Sequence, residues 1–288
     1  MTRVTTPALA AAVSVAGGLG MLAIGRQSAN AIRRDIDAVL RLTSRPVGAA
    51  FIVRFLEAGM LEEAAARLPV IELFWGWPEP SLVPPGVITG WQVGSVDEAR
   101  AAVDSGCRYV VAQGVEAGGH VRGTMPLADL VPAVRAAVDV PLVAAGGIGT
   151  VADARRAIDL GADAVRIGTR FVVAAEADAH PAYVAAGPDD TVLTETFSVG
   201  WPDAPHRVLA SSAAAAMADG PDPVGTTRLA DGTEADLRRR GPTPPTTATA
   251  GQIEAMALYA GLGVGAVTGR MSAAAIVDEL TDGLASFA

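Results

Sequence analysis

The stretch Gln113-Gly114-Val115-Glu116-Ala117-Gly118-Gly119-His120 decides the fold when read with two later glycine turns, Ala145-Gly146-Gly147-Ile148 and Ile167-Gly168-Thr169-Arg170-Phe171. Each follows a short apolar run: Tyr109 to Ala112, Leu142 to Ala145, and Ala164 to Ile167. The order is buried strand, glycine at its carboxyl end, then helix. Glycine permits close approach of the backbone to a ligand, and a helix start offers free N–H groups to an anion. Two such turns on neighbouring strands predict a phosphate cradle, and the Gln/Glu/His segment sets polar groups beside it. The combination points to a cofactor-binding barrel.

Outward from that centre the alternation of strand and helix continues. Leu9 to Ala16 reads as a helix after Thr5-Thr6-Pro7, because proline suits a first helical turn. Leu19–Ile24, Val47–Val53, Val70–Trp75 and Val87–Val93 read as strands, and Ser28–Leu42, Leu61–Leu68 and Val96–Ser105 as helices. Leu127–Val138, Val151–Leu160 and Glu176–Ala186 are the later helices. Regular β-then-α order predicts a parallel sheet, either doubly wound or an eight-stranded (β/α)8 TIM barrel. Seven strands are visible and the chain opens on a helix, so the expected fold is the barrel with its first strand upstream of Met1. The expected organisation is a barrel over residues 1–189, an irregular lid or loop over 190–250, and closing helices over 251–288, at Gln252–Tyr259 and Ser272–Ala285. The Pro-, Thr- and Asp-rich lid includes Arg238-Arg239-Arg240, read as a solvated run.

Composition narrows the function. The chain has 288 residues, enough for one large α/β domain, and half of them are apolar. All 22 basic residues are arginine, which removes Schiff-base lysine chemistry. A net charge of −9 gives a nucleic-acid partner no electrostatic support. One cysteine, Cys107, excludes an internal disulfide and fits a reducing cytoplasm. Residues 7–25 are apolar enough to suggest a signal peptide, but they lack a cleavage site and contain the helix start already noted. No longer apolar run predicts a membrane span. The three histidines lack ligand spacing for a metal, and no Gly-x-Ser-x-Gly elbow is present.

The motifs of the first paragraph, with Glu176 and His180-Pro181, resemble the nitronate monooxygenases, formerly 2-nitropropane dioxygenases, which are FMN-dependent TIM barrels. Pro7-Ala8-Leu9-Ala10-Ala11-Ala12-Val13, Ala16-Gly17-Gly18-Leu19-Gly20, Tyr259-Ala260-Gly261 and Ile276-Val277-Asp278-Glu279-Leu280 extend the likeness over nearly the whole chain. The resemblance implies FMN as cofactor, with Gln113 and Gly118 touching the flavin and Gly146-Gly147 and Arg166-Ile167-Gly168-Thr169 forming the phosphate site. It also places Met1 where a Pro-Met pair of the family touches the flavin.

Departures from the family accompany these matches. Ala50 stands where an asparagine is common, and Arg166 where many members have glutamine. An arginine there either pairs with phosphate or anionic reduced flavin, or salt-bridges elsewhere. Trp91-Gln92 occupies the place of a histidine that some members carry at the end of the fifth strand. His120, on a glycine-rich loop with a near-neutral pKa, is the candidate catalytic residue, as acid, base or anion-binding donor. Glu116 is expected to tie its loop to a neighbour or to Arg122, His180 to cap a helix, and His206 says little. Trp75, Trp77 and Trp91 either wall the pocket or pack in the core, and Tyr259 closes the site. The expected activity is oxidation of alkyl nitronates by oxygen to a carbonyl compound and nitrite. An NAD(P)H-dependent reductase acting on a quinone or enoyl thioester, and a catalytically retired flavin-binding barrel, are the alternatives.

Overall fold

A computed structural model describes residues 1–187, 189–229, 232–267 and 269–285. The chain runs α1 (Pro7–Val15), β1 (Gly20–Ile24), α2 (Ala29–Leu42), β2 (Val47–Ile52), α3 (Met60–Ala65), β3 (Val70–Phe74), β4 (Ile88–Val93), α4 (Val96–Asp104), β5 (Tyr109–Gln113), β6 (Gly119–His120), α5 (Leu127–Arg135), β7 (Leu142–Ala145), α6 (Val151–Asp159) and β8 (Ala164–Arg166). Polar caps start the helices where the sequence offers them. Thr6 accepts from the Leu9 amide, Ser95 from Glu98, and Thr150 with Asp153 forms a reciprocal capping box.

Seven of these strands form one curled parallel sheet in the order β1-β2-β3-β4-β5-β7-β8. It is a TIM-barrel-type half-barrel with the strand count read from the sequence. The strands alternate strictly. Ala49 and Phe51, Ile71 and Leu73, Trp91 and Val93, Val110 and Ala112, and Leu142 and Ala144 pack outward with Ile32, Ile36 and Val39 of α2 in the main core. Residues of the other parity, including Ala50, Glu72, Gln92, Gln113, Ala145 and Arg166, line the concave face. This parity puts every chemistry-bearing strand residue on the same side.

The remainder comprises α7 (Pro181–Ala185), β9 (Thr191–Thr194), β10 (His206–Leu209), α8 (Ala210–Met217), β11 (Gly225–Arg228), β12 (Glu234–Leu237), β13 (Thr249–Gly251) and α9 (Ala273–Ala285). The segment read as irregular thus supplies strands to two antiparallel sheets, β6-β10-β9, where β6 comes from the His120 loop, and β12-β11-β13. Its polar, Thr-rich strands are four residues or fewer, too short to give a periodic signal. The helix expected over Gln252–Tyr259 is a single 3-10 turn at Ile253–Ala255, and beyond it Tyr259 bridges Val208. The helix expected over Glu176–Ala186 shortens to α7, because the Glu176 and Asp178 carboxylates hold the amides of Ala273 and Thr247 instead. Nor is the arginine run simply solvated: Arg238 grips Asp222 through two nitrogens, and Arg239 donates to the carbonyls of Ala215, Ala216 and Ala218 at the end of α8. Cations are favoured at a helix carboxyl end.

Candidate active site

The carboxyl ends of the parallel strands open into a cleft. In barrels of this type that end carries the ligand site. The glycine turns line it through Gly118, Gly146, Gly147, Gly168 and Thr169; Met1, Gln92, His120, Trp201 and Tyr259 complete the wall.

The His120 loop is held from both sides. Gln113 Nε2 donates to the His120 carbonyl at 3.0 Å, so its amide braces the loop. Both Glu116 carboxylate oxygens accept from the Leu127 amide, fixing the loop to the start of α5. The expected Glu116–Arg122 tie is absent: Arg122 pairs with Glu98. Gly118 is required sterically, since a Cβ there would lie 2.4 Å from the Gly261 nitrogen. Arg207 donates to the Val115 carbonyl at 2.8 Å, and His206 of β10 stands opposite His120 in the ladder.

The His120 imidazole lies among rings. It stacks on Trp201 with centroids 3.8 Å apart and planes 18° apart, with His206 at 5.2 Å, Tyr259 at 5.6 Å and Trp75 at 5.7 Å. Burial in this apolar box, with His206 as a smaller cause, lowers its pKa to about 3. His120 is therefore neutral near pH 7. Its Nε2 is buried without a hydrogen-bond partner, as a ligand-facing nitrogen would be. His206 is fully buried and already satisfied, accepting from the Phe197 amide through Nε2 and bonding the Ala204 carbonyl through Nδ1.

Opposite this box, Gly146 and Gly147 have φ of +115° and +70°, in the region that glycine tolerates. Among the described residues the amides of Gly147, Gly168 and Thr169 donate to no acceptor, and a Cβ on Gly168 would meet only Met1 Cγ, at 3.9 Å. Unpaired donors around open space fit an anionic group of a cofactor. Thr169 Oγ1 accepts from the Gly261 amide, leaving its own proton to donate. Arg166 lines the same cleft. It forms an ion pair with Glu72, which also accepts from Tyr109 Oη at 3.3 Å. Burial brings the Arg166 guanidinium down to about 10, still cationic at neutral pH.

The tryptophans divide between the two readings. Trp91 is 1% exposed in the outer core, and its neighbour Gln92 faces the cleft instead. Trp77 is half exposed. Trp75 does meet the site's aromatic box, with φ of +62° at the end of β3. The residues missed were Trp201, on the segment taken as a loop, and Glu72, hidden in an apolar strand. A lone carboxylate inside Val70-Ile71-Glu72-Leu73-Phe74 was the available signal. His180 caps α7 through Nδ1, as expected. Among the described residues no cluster of three or more His, Cys, Asp or Glu could hold a metal ion, and no helix is long and apolar enough to cross a membrane.

A half-barrel with paired glycine turns, unpaired amides and a neutral histidine in one cleft defines a site for a small anionic molecule, and similarity to known proteins makes the chain an oxidoreductase. The chain belongs to the nitronate monooxygenase family, whose model matches residues 1–70 and 79–283. It is 30% identical to a probable nitronate monooxygenase of Staphylococcus aureus, over 69% of this chain and 71% of that protein. Among solved structures it is similar to nitroalkane oxidase from Streptomyces ansochromogenes, at 28% identity and a TM-score of 0.78, covering 99% of this chain and 93% of the other. FabK from Thermotoga maritima shares 26% identity and a TM-score of 0.78, covering 100% and 91%. The family consists of flavoenzymes that oxidise nitro compounds.

Proposed function

We propose that this chain is an FMN-dependent nitronate monooxygenase, converting alkyl nitronates and molecular oxygen to a carbonyl compound and nitrite. The observation that supports this best is the facing pair of features in one cleft: unpaired amides at Gly147, Gly168 and Thr169, and the buried, unpartnered Nε2 of neutral His120. Gly146, Gly147, Ile167, Gly168 and Thr169 would hold the phosphate, and Gly118 and Met1 would lie beside the flavin. Bound FMN supplies the electron transfer between nitronate and oxygen.

The protein's own part is binding and orientation. His120, kept neutral by burial, would hydrogen-bond the substrate at Nε2, and Gln113 and Glu116 hold the loop that carries it. A nitronate arrives already ionised, so the site needs no base at Gln92. Arg166, balanced by Glu72, adds polarity to the floor without acting as the phosphate partner. The proposed setting is the cytoplasm, where Cys107, buried with its thiol raised to about 11, stays reduced.

The test is steady-state turnover by FMN-loaded protein. Propionate 3-nitronate should consume oxygen and release nitrite, whereas neutral 2-nitropropane should turn over poorly. Equal turnover of the neutral nitroalkane would refute the assignment of His120 as a binding group alone. A second reading, an NAD(P)H-dependent reductase acting on a quinone or enoyl thioester, draws on the equal likeness to FabK. Rapid anaerobic bleaching of the flavin by NADH or NADPH, with none by the nitronate, would favour it.

A further inference from the structure

Trp201 lies outside every motif that carries the family likeness, on the segment between β9 and β10. It is 3% exposed, lines the cleft, and its indole Nε1 is buried without a hydrogen-bond partner. An indole N–H only donates, so burying one unpaired is costly unless a ligand supplies an acceptor. The ring is held in place on several sides. It stacks on His120, meets Phe55 edge-on at 4.9 Å and Trp75 edge-on at 5.1 Å. Its amide donates to the Ser198 carbonyl at 2.9 Å. The neighbouring Gly200 carbonyl accepts from Arg26 Nη2 at 2.9 Å, and Arg26 itself lies 4.4 Å over the Phe55 ring. The clamp therefore fixes a donor against a ring whose own Nε2 is also unpartnered.

We infer that Trp201 Nε1–H and His120 Nε2 together form the binding site for a small planar oxyanion, making Trp201 a specificity-determining residue. The identity of that oxyanion as a nitronate rests on the proposed function; the donor pair does not. Two unpartnered nitrogens on rings stacked 3.8 Å apart suit two oxygens on one atom better than an extended or apolar ligand. The segment between β9 and β10, rather than the barrel strands, then sets which substrates enter.

Nuclear magnetic resonance tests this on FMN-loaded protein labelled with 15N at its four tryptophan side chains. Trp201→Phe, which keeps an aromatic ring for the stack but lacks the donor, assigns the Trp201 indole peak; replacing the other three tryptophans singly assigns it by elimination should W201F fail to fold. Titration with sodium nitrate, a planar oxyanion that the flavin does not oxidise, should move the Trp201 indole proton downfield and saturate. W201F should bind nitrate about 10- to 100-fold more weakly, the effect expected of a hydrogen bond to a charged group. Its KM for propionate 3-nitronate should rise while its FMN affinity stays unchanged. A Trp201 peak that ignores nitrate, or W201F binding nitrate as tightly as the parent, overturns the inference. A parent that shifts with nitrate but never turns over the nitronate would sink the proposed function and leave the donor pair standing.

Discussion

Arg166 on β8 reaches across the concave face of the sheet to Glu72 on β3, and the two form an ion pair within the cleft. Gly90 makes room for this arrangement: a Cβ there would lie 2.1 Å from the Tyr109 ring, whose hydroxyl donates to the same carboxylate. Removing one member of a buried pair strands the other charge, at a cost of about 3–5 kcal/mol. Arg166 retains some contact with the cleft, so R166Q and E72Q should each destabilise by about 3 kcal/mol. The double variant should lose much less than the sum. Denaturant unfolding of all four proteins gives the coupling, and strict additivity would mean that the pair contributes nothing.

The phosphate assignment turns on Gly168. Its φ of −118° suits any residue, and a Cβ there meets almost nothing in the protein. Gly168→Ala should therefore leave the melting temperature of the flavin-free protein nearly unchanged. It should weaken FMN binding by about tenfold or more, because the methyl group enters the cradle and an amide–phosphate hydrogen bond is lost. Fluorescence titration of FMN reads this directly. Unaltered affinity would place the phosphate elsewhere.

Acid should destabilise the protein through its histidines. An unfolded histidine takes up its proton near pH 6.5, whereas folded His120 resists protonation down to about 3, and His206 is lowered as well. Within that window the unfolded chain binds more protons, so stability rises with pH and is lost as pH falls from about 6.5 toward 3. Each such histidine adds at most about 1.4 kcal/mol per pH unit. Melting curves between pH 7 and 5 check the slope, which should flatten in His120→Gln.

Glu116 offers a test of loop fixation. Its carboxylate satisfies the Leu127 amide at the start of α5. Glu116→Ala should cost about 1 kcal/mol of stability, typical of a lost helix cap. It should lower kcat/KM more than that loss explains, because the loop carrying His120 loosens. Wild-type kinetics from E116A would show that the loop is held without it.

Much of the fold was legible because its signals are local. Apolar runs ending in glycine located β5, β7 and β8 and their turns, and Thr5-Thr6-Pro7 marked the first helix start. The cleft glycines followed, since a glycine at the end of a buried strand has few other uses. Long-range pairing was not legible. Nothing around His206 in sequence announces that β10 pairs with the His120 loop, or that Arg239 closes α8. Strand parity also escaped: Trp91 and Gln92 are adjacent, and only the register of β4 against β5 sends the tryptophan outward and the glutamine into the cleft. Trp201 was invisible for the same reason, because its role comes from what a polar, irregular-looking segment folds over.

The most direct test of the nitronate assignment is the anaerobic absorption spectrum of FMN-loaded protein before and after addition of propionate 3-nitronate. The account predicts loss of the oxidised flavin band without any nicotinamide, and its return when oxygen is admitted. A spectrum that the nitronate leaves unchanged, while NADH or NADPH bleaches it, would contradict the account and assign the cleft to a reductase.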